Sequence, residues 1–470
     1  MISTEDKNDA IFALARNIVG IRFEDIPREV REVTKRSILD ILGVIIAGSE
    51  LGEGCKEIVK LIKQMGGRKD STILVYGDKV PCALAAFANS AMAHSLDYDD
   101  DHRQAAVHPT LATFPAALAV AEKVKGVTGK EFITGITLGN DLVCRLALAV
   151  TKGPRGNKLD WNMSSVVGVL GAAAVSAKLL NLDQNGMVNA LAIAMQLASG
   201  TGEIAFSLGN KYRGLYGGPV AAGGVMSALL AREGITGPKQ CLEGRAGLYN
   251  VHFNGLYRRE SLMKELGKTF EGRNVDFKPW PSCGHTMNHI QAALRVMKRN
   301  NLRVSDIVQI IPIVGEQTRA LCEPLELRQR PMSSLDAKWS IPWTIACAIL
   351  RGKVTLNDFT PDGIKDTNTI ELTHKITPEF QPQQSSDSYK VPPGIVQIKT
   401  KDGRIFSERV DYWHGAHQDP MTMDEIISKF RGCASYAAKT MSKKKILRII
   451  DIVDSLEEII EMTELINQFI

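Results

Sequence analysis

Five helix-length segments between residues 109 and 233 (109–124, 129–151, 164–180, 184–200 and 217–233) are dense in small apolar residues. Small side chains let helices approach closely around a shared core, so this run predicts a helical body rather than a sheet. Thr128-Gly129-Lys130-Glu131 and Asp183, three residues before Gly186, are helix starts by their side-chain oxygens. Upstream, residues 6–48 read as two helices: Ile11, Leu14, Ala15 and Ile18 recur at helical spacing, as do Val30, Val33, Ile38, Ile41 and Leu42. Segments 52–66 and 81–95 add two more helices, separated by a loop or brief extended piece at 70–79.

The composition changes near residue 272. Two prolines flank Trp280 in Phe277-Lys278-Pro279-Trp280-Pro281-Ser282-Cys283, which rules out a helix interior. A helix over 285–299, a β-branched strand over 307–314 and a helix over 336–352 follow; 354–362 reads as a short helix or turn. Strands are predicted at 369–376 and 394–400, the latter turning at Lys401-Asp402-Gly403-Arg404 into a partner at 405–410. Gln381 to Lys390 is a polar surface loop, and helices return from 421, ending with 443–469. The expected architecture is mainly α. A large all-helical domain takes both chain ends (1–272 and 419–470), and a smaller α+β lid, 273–418, is inserted between them.

With 470 residues the chain has room for two or three domains. A net charge of +5 leaves no footprint for nucleic acid. No apolar run reaches the roughly 18 uninterrupted residues of a membrane span, and the polar, acidic start (Met1-Ile2-Ser3-Thr4-Glu5-Asp6) is unlike a signal peptide. The eight cysteines show no zinc or iron–sulfur spacing, which suits reduced core residues of a cytoplasmic protein.

The chemistry concentrates in residues 94–110. Four aspartates (Asp97, Asp99, Asp100, Asp101) and three histidines (His94, His102, His108) fall within fifteen residues. Acids this close repel one another. Three uses fit them: helix capping by Asp97 and Asp99, a divalent metal, or acid–base work by a histidine among carboxylates. His108-Pro109 at a helix start would hold an imidazole on a rigid element. A second group surrounds Lys278, which Pro279 restricts to an extended conformation; Cys283 and His285 follow at the next helix. Lys278 is either a solvated lysine or, if desolvated, a base or a carboxylate-binding cation. A third group, Gly209 to Gly218, carries Lys211 and Arg213 before an Ala-rich helix and could hold carboxylates; it lacks phosphate-loop spacing.

Taken together, these segments resemble the MmgE/PrpD family, which includes 2-methylcitrate dehydratases, cis-aconitate decarboxylases and an iminodisuccinate epimerase. The motifs are His94-Ser-Leu-Asp-Tyr-Asp-Asp with His108-Pro109-Thr110, Ser165-Val-Val-Gly168, Lys278-Pro-Trp-Pro-Ser-Cys283, Asp336-Ala-Lys-Trp-Ser-Ile-Pro342, and Asp419-Pro-Met-Thr422 with Lys429-Phe430. The resemblance implies a homodimer with a cofactor-free, metal-free active site at the domain junction. It places Asp97, Asp101, His108 and Lys278 in catalytic positions, and His102, Asn162, Lys211, Arg213, Cys283 and His285 toward substrate. The sequence departs from the family pattern at Asn162, where relatives often carry histidine. It departs also at Arg213 or Lys211, where they carry one lysine, and at Thr286-Met287, where they carry Thr-His. The implied function is a lyase on a small di- or tricarboxylic acid. Dehydration of the 2-methylcitrate type leads, with His108 and Asp97 handling the proton and Lys278, Lys211 and Arg213 meeting carboxylates. The alternatives are decarboxylation or epimerisation in the same pocket, and an acid-binding protein without turnover.

Overall fold

The computed structural model describes residues 9–151, 160–381 and 391–470, so most of the polar loop read at 381–390 lies outside the described residues. The protein is mainly α. The small-residue helices lie where their composition requires. Gly217–Arg232 packs on Met163–Leu179 and Cys82–His94, and Gly129–Ala149 packs on Met163–Leu179. The approach is close enough that a Cβ at Gly171 would lie 2.2 Å from Val143 Cγ2, and one at Gly224 2.4 Å from Ala172 Cβ. Thr128 and Glu131 form the expected reciprocal cap, and Asp183 accepts from the Gly186 amide at 2.7 Å. Gly129–Ala149 is long and apolar enough to cross a membrane by length and composition, but 94% of its apolar window is buried inside the protein.

Two large hydrophobic cores are present among the described residues. One runs from Ala10 to Phe277 and resumes from Met421 to Phe469; the other takes residues from Cys283 to Val410. The C-terminal helix Met423–Ala434 packs along Arg28–Leu51. Lys429 fastens it there: its Nζ lies 2.6 Å from buried Asp40, donates to the Tyr98 carbonyl at 2.7 Å and covers the Tyr98 ring. This motif lysine therefore supports the acidic loop from beneath.

The second core surrounds a four-stranded sheet in the order Glu379–Phe380, Ile307–Val314, Gly394–Thr400, Ile405–Val410. The first pair is parallel and the others antiparallel, with Ile310 opposite Ile398 and Ile398 opposite Phe406. Helix Gly284–Arg299 covers it.

Several elements differ from the sequence reading. The strand predicted at 369–376 is instead the helix Thr367–Thr373, because Asp366 caps it, accepting from the Thr369 amide at 3.0 Å; that cap outweighs the β-branched threonines and isoleucine. The helix predicted at 336–352 is two, Ser334–Lys338 and Ile341–Arg351, since Ser340 starts the second with its own cap. The helix predicted at 443–469 stops at Asp454, and two short 3-10 turns and the one-turn helix Thr463–Ile466 complete the chain. Segment 70–79, by contrast, agrees with its reading as a loop or brief extended piece: Ser71–Thr72 pairs with Lys79–Val80.

Candidate active site

The acidic loop leaves helix Cys82–His94 through a turn in which Asp97 is left-handed, φ 50°, a conformation aspartate tolerates better than most residues. Asp97 turns toward Lys278. The Lys278 Nζ donates to Asp97 Oδ1 at 2.5 Å and to its carbonyl at 3.0 Å, and the Trp339 indole donates to Oδ2 at 2.7 Å. Burial disfavours both charges, but the mutual attraction dominates: the Asp97 carboxyl is held well below the usual range and the Lys278 ammonium above it. Lys278 is wholly buried, so it is no solvated lysine. Its raised pKa favours the protonated ammonium. Two of the three ammonium hydrogens go to Asp97.

The carboxylate beside His108 is Asp99, not Asp97. His94 Nδ1 lies 3.0 Å from both Asp99 oxygens, and His108 Nδ1 lies 3.4 Å from Asp99 Oδ2. His108 Nδ1 is also 2.8 Å from the Asp100 carbonyl, which can only accept, so this nitrogen carries the hydrogen and Nε2 keeps the lone pair. The two imidazoles meet edge to face with centroids 4.7 Å apart, and Tyr216 meets His94 at the same distance. Their environments push them in opposite directions. Burial lowers His108, and the nearby Asp99 only partly offsets it. Burial acts against His94 too, but its bond to Asp99 prevails and raises it, while Asp99 is lowered. A neutral imidazole thus adjoins one biased toward the cation, the condition that separates a base from an acid. Neither Asp97 nor Asp99 caps a helix. His94, Asp99 and His108 also offer ligand atoms within 4.8 Å of one another, so these three could accept a divalent cation; Asp99 hydrogen-bonds to His94, while the His108 hydrogen bond goes to the Asp100 carbonyl.

The remaining sequence candidates separate. The Asp101 backbone pairs with Asp276 (3.0 and 2.6 Å), and its carboxylate lies against the start of helix Gly284–Arg299, so closely that a Cβ at Gly284 would be 2.6 Å from Oδ2. That helix end favours anions. Cys283 and His285 stand beside it, their Sγ and Nδ1 3.9 Å apart. Burial pushes the Cys283 thiol up to about 12, which keeps it protonated, and lowers His285. His102 is buried in a tight turn: its Nδ1 accepts from the Ala105 amide at 3.2 Å and burial keeps it low. Asn162 caps helix Met163–Leu179 through the Ser165 amide at 3.3 Å and adjoins the Tyr216 hydroxyl. Lys211 is exposed and outside the cluster. Arg213 is buried, but its Nε and Nη2 go to the carbonyls of Ile204, Ala205 and Ser207, and it stacks 4.6 Å over Trp339. It borders the cluster through that ring and lies close enough to Cys283 and Asp97 to interact with them electrostatically. A cavity of about 520 Å³, lined by Arg28, Arg36, Arg273 and His417 among others, contains none of these residues.

His94, Asp99, Tyr216 and Trp339 were missed as site residues by sequence reasoning. His94 and Asp99 lie in the dense loop, where spacing alone did not show which acid meets which histidine. Trp339 belongs to the Asp336–Pro342 motif, whose indole carries no obvious chemistry until it is seen donating to Asp97.

Two family domains match this chain: the MmgE/PrpD N-terminal domain over residues 13–260 and the MmgE/PrpD C-terminal domain over residues 280–457. The chain belongs to the MmgE/PrpD family. Among MmgE/PrpD relatives, it is 25% identical over 461 residues to the cis-aconitate decarboxylase of Aspergillus terreus, covering 94% of this chain and 93% of that one. It is 26% identical over 467 residues to the human cis-aconitate decarboxylase, covering 97% and 94%. With the mouse cis-aconitate decarboxylase it shares 26% over 458 residues, 95% and 90%.

Proposed function

We propose that this protein is a carboxy-lyase that releases CO2 from a small unsaturated di- or tricarboxylic acid, cis-aconitate or a close analogue. End-to-end similarity to cis-aconitate decarboxylases supports the reaction class. The observation that carries the mechanism is the His94–His108 pair, two imidazoles in contact with opposite pKa displacements. Replacing a carboxylate by hydrogen consumes one proton per CO2. His94, biased toward its cation, is the donor to carbon. When the double bond migrates, His108 Nε2 accepts a proton from an adjacent carbon and returns it to carbon at the far end of the shifted double bond, so the net uptake stays at the one proton that His94 donates per CO2. At 19% side-chain exposure against 7% for His94, His108 is the member of the pair that an entering acid meets first. Lys278 acts through Asp97, holding a fixed charge pair behind the imidazoles rather than touching substrate.

We further propose that 1–272 with 419–470 form the helical domain, and that 273–418 form a lid that admits the acid when it opens. The separate core of residues 283–410 supports it. The test is incubation with cis-aconitate and quantitation of CO2 against acid consumed; a one-to-one yield is expected. A second reading, dehydration of a hydroxy acid of the 2-methylcitrate type, draws on the same split pair, which supplies the base and the acid an elimination needs together. Water loss without CO2 would favour it.

The pH dependence follows from the two displacements. His108 must be neutral to accept, so rate rises with pH through its lowered pKa, below the ordinary value of about 6.5. His94 must be protonated to donate, so rate falls through its raised pKa, above that value. The expected kcat/KM profile is a bell with its plateau around neutrality, and His94→Gln should remove the alkaline limb. Stability has a matching sign. The His94 contribution is full below about pH 6.5 and lost as pH rises through its folded pKa. The Asp99 contribution is present above the unfolded carboxyl value of about 3.9 and lost as pH falls through its lowered one.

We also propose a homodimer. Leu197, Met226 and Leu230 are exposed (50, 47 and 38%), and Leu197 contacts Gly223, one and two turns before Met226 and Leu230 on the same helix face. Light scattering should give twice the chain mass, falling to one chain in Met226→Asp/Leu230→Asp.

A further inference from the structure

One buried cation has no part in the chemistry above. Arg103 lies in the acidic loop with its side chain only 5% exposed. Its Nη2 donates to the Val391 carbonyl at 3.1 Å and reaches the Asp411 carbonyl at 3.5 Å, and its guanidinium lies 4.3 Å over Trp413 and 5.4 Å from the Tyr412 ring. Its Nε is 3.9 Å from Asp276 Oδ2, too long for a hydrogen bond, and both Nη1 and that oxygen are buried without hydrogen-bond partners. Such a pair is poor value for stability, because desolvation of the two ions consumes most of their attraction and an apolar side chain would fill the space as well. What the arginine does achieve is connection. It touches three stretches: the loop turn closed by His102 and Val107, the segment 276–278 that zips onto Asp101 and carries Lys278, and the wall at 391 and 411–413. The loop turn leads directly into His108 and segment 276–278 carries Lys278; the wall packs with Met287 on the helix that bears His285.

We propose that Arg103 is a positioning residue that clamps the acidic loop and the Lys278 segment to the 391–413 wall, and so fixes the distances among Asp97, Asp101, Lys278 and the imidazole pair. The proposal rests on the reading of this cluster as the active site. Planarity is essential to it: a guanidinium can stack on Trp413 and direct its fork at Val391 and Asp276 together, whereas an ammonium cannot. Lysine at this position preserves charge and stem and loses the geometry.

The experiment compares wild type with Arg103→Lys and Arg103→Met by hydrogen exchange and by steady-state kinetics. The expected result is faster exchange, by about tenfold or more, in peptides spanning 101–107 and 276–278 together, with helix Met163–Leu179 unchanged. In parallel kcat should fall by about 10–100-fold with KM altered less than about threefold, the signature of misplaced groups rather than lost substrate binding. If Arg103→Met does not fold, Arg103→Lys decides alone. The proposal is overturned if exchange rises only at 391 and 411–413 while the acidic loop keeps its protection, or if kcat falls only in proportion to the folded fraction. Should wild type turn over none of the acids, the carboxy-lyase reading fails and the exchange comparison still decides whether Arg103 is the clamp.

Discussion

His108→Asn is expected to lower kcat by about 10²–10⁴-fold while leaving the fold intact. The asparagine amide stands near Nδ1 and can replace its hydrogen bond to the Asp100 carbonyl, 2.8 Å in the native protein. The backbone amide of residue 108 keeps its bond to Ser164 Oγ at 3.0 Å. What disappears is Nε2, the lone pair assigned as proton acceptor. Loss of the acceptor should abolish the acid limb of the pH profile, leaving only the decline through the His94 pKa. Kinetics from pH 5 to 9 with thermal melts at each end would check both points. Activity within threefold of wild type would remove His108 from the mechanism.

The second large effect concerns Lys278. Lys278→Met leaves Asp97 buried with the Trp339 indole as its remaining side-chain donor. Breaking a buried pair in this way costs about 3–5 kcal/mol, because one charge stays behind without its partner. The pair's stability spans the neutral range. Asp97, with its lowered pKa, contributes above the unfolded value of about 3.9 and loses this as pH falls through its folded pKa. Lys278, with its raised pKa, contributes below the unfolded value of about 10.4 and loses this as pH rises through its own. The double variant Asp97→Asn/Lys278→Met carries no orphaned charge and should recover most of the loss, read as the urea midpoint at unchanged slope. Turnover should not recover with it, since the fixed charges behind the imidazoles are gone. A double variant as unstable as the single one would mean that packing around the lysine stem, not the ion pair, holds this junction.

How far the sequence carried these conclusions depended on the range of each interaction. Helices with their own caps and apolar period, such as 129–149 and 184–195, were legible because their determinants are local. The hairpin at 401–404 was legible for the same reason. Thr367–Thr373 was misread because side-chain propensity was weighed and the Asp366 cap was not. In the site, the acidic loop and Lys278 stood out by composition, but their partners did not. Asp97 meets a lysine 181 residues away and a tryptophan 242 away, and no spacing rule connects them. Within the loop the converse problem arose: four acids at similar spacing made Asp97 and Asp99 interchangeable partners for His108 until the left-handed turn at Asp97 separated them. Lys211 and Arg213 show a third limit, since a cation beside glycines has the same sequence whether it faces a ligand, solvent or three carbonyls.

Proton NMR of the protein in D2O with cis-aconitate, 2-methylcitrate, citrate, malate and iminodisuccinate tests the central claim most directly. The account predicts that cis-aconitate or a near analogue disappears with release of one CO2 and that its product carries deuterium on carbon, delivered by the imidazole pair. Water elimination without CO2, deuterium exchange without bond cleavage, or no change in any acid would contradict it.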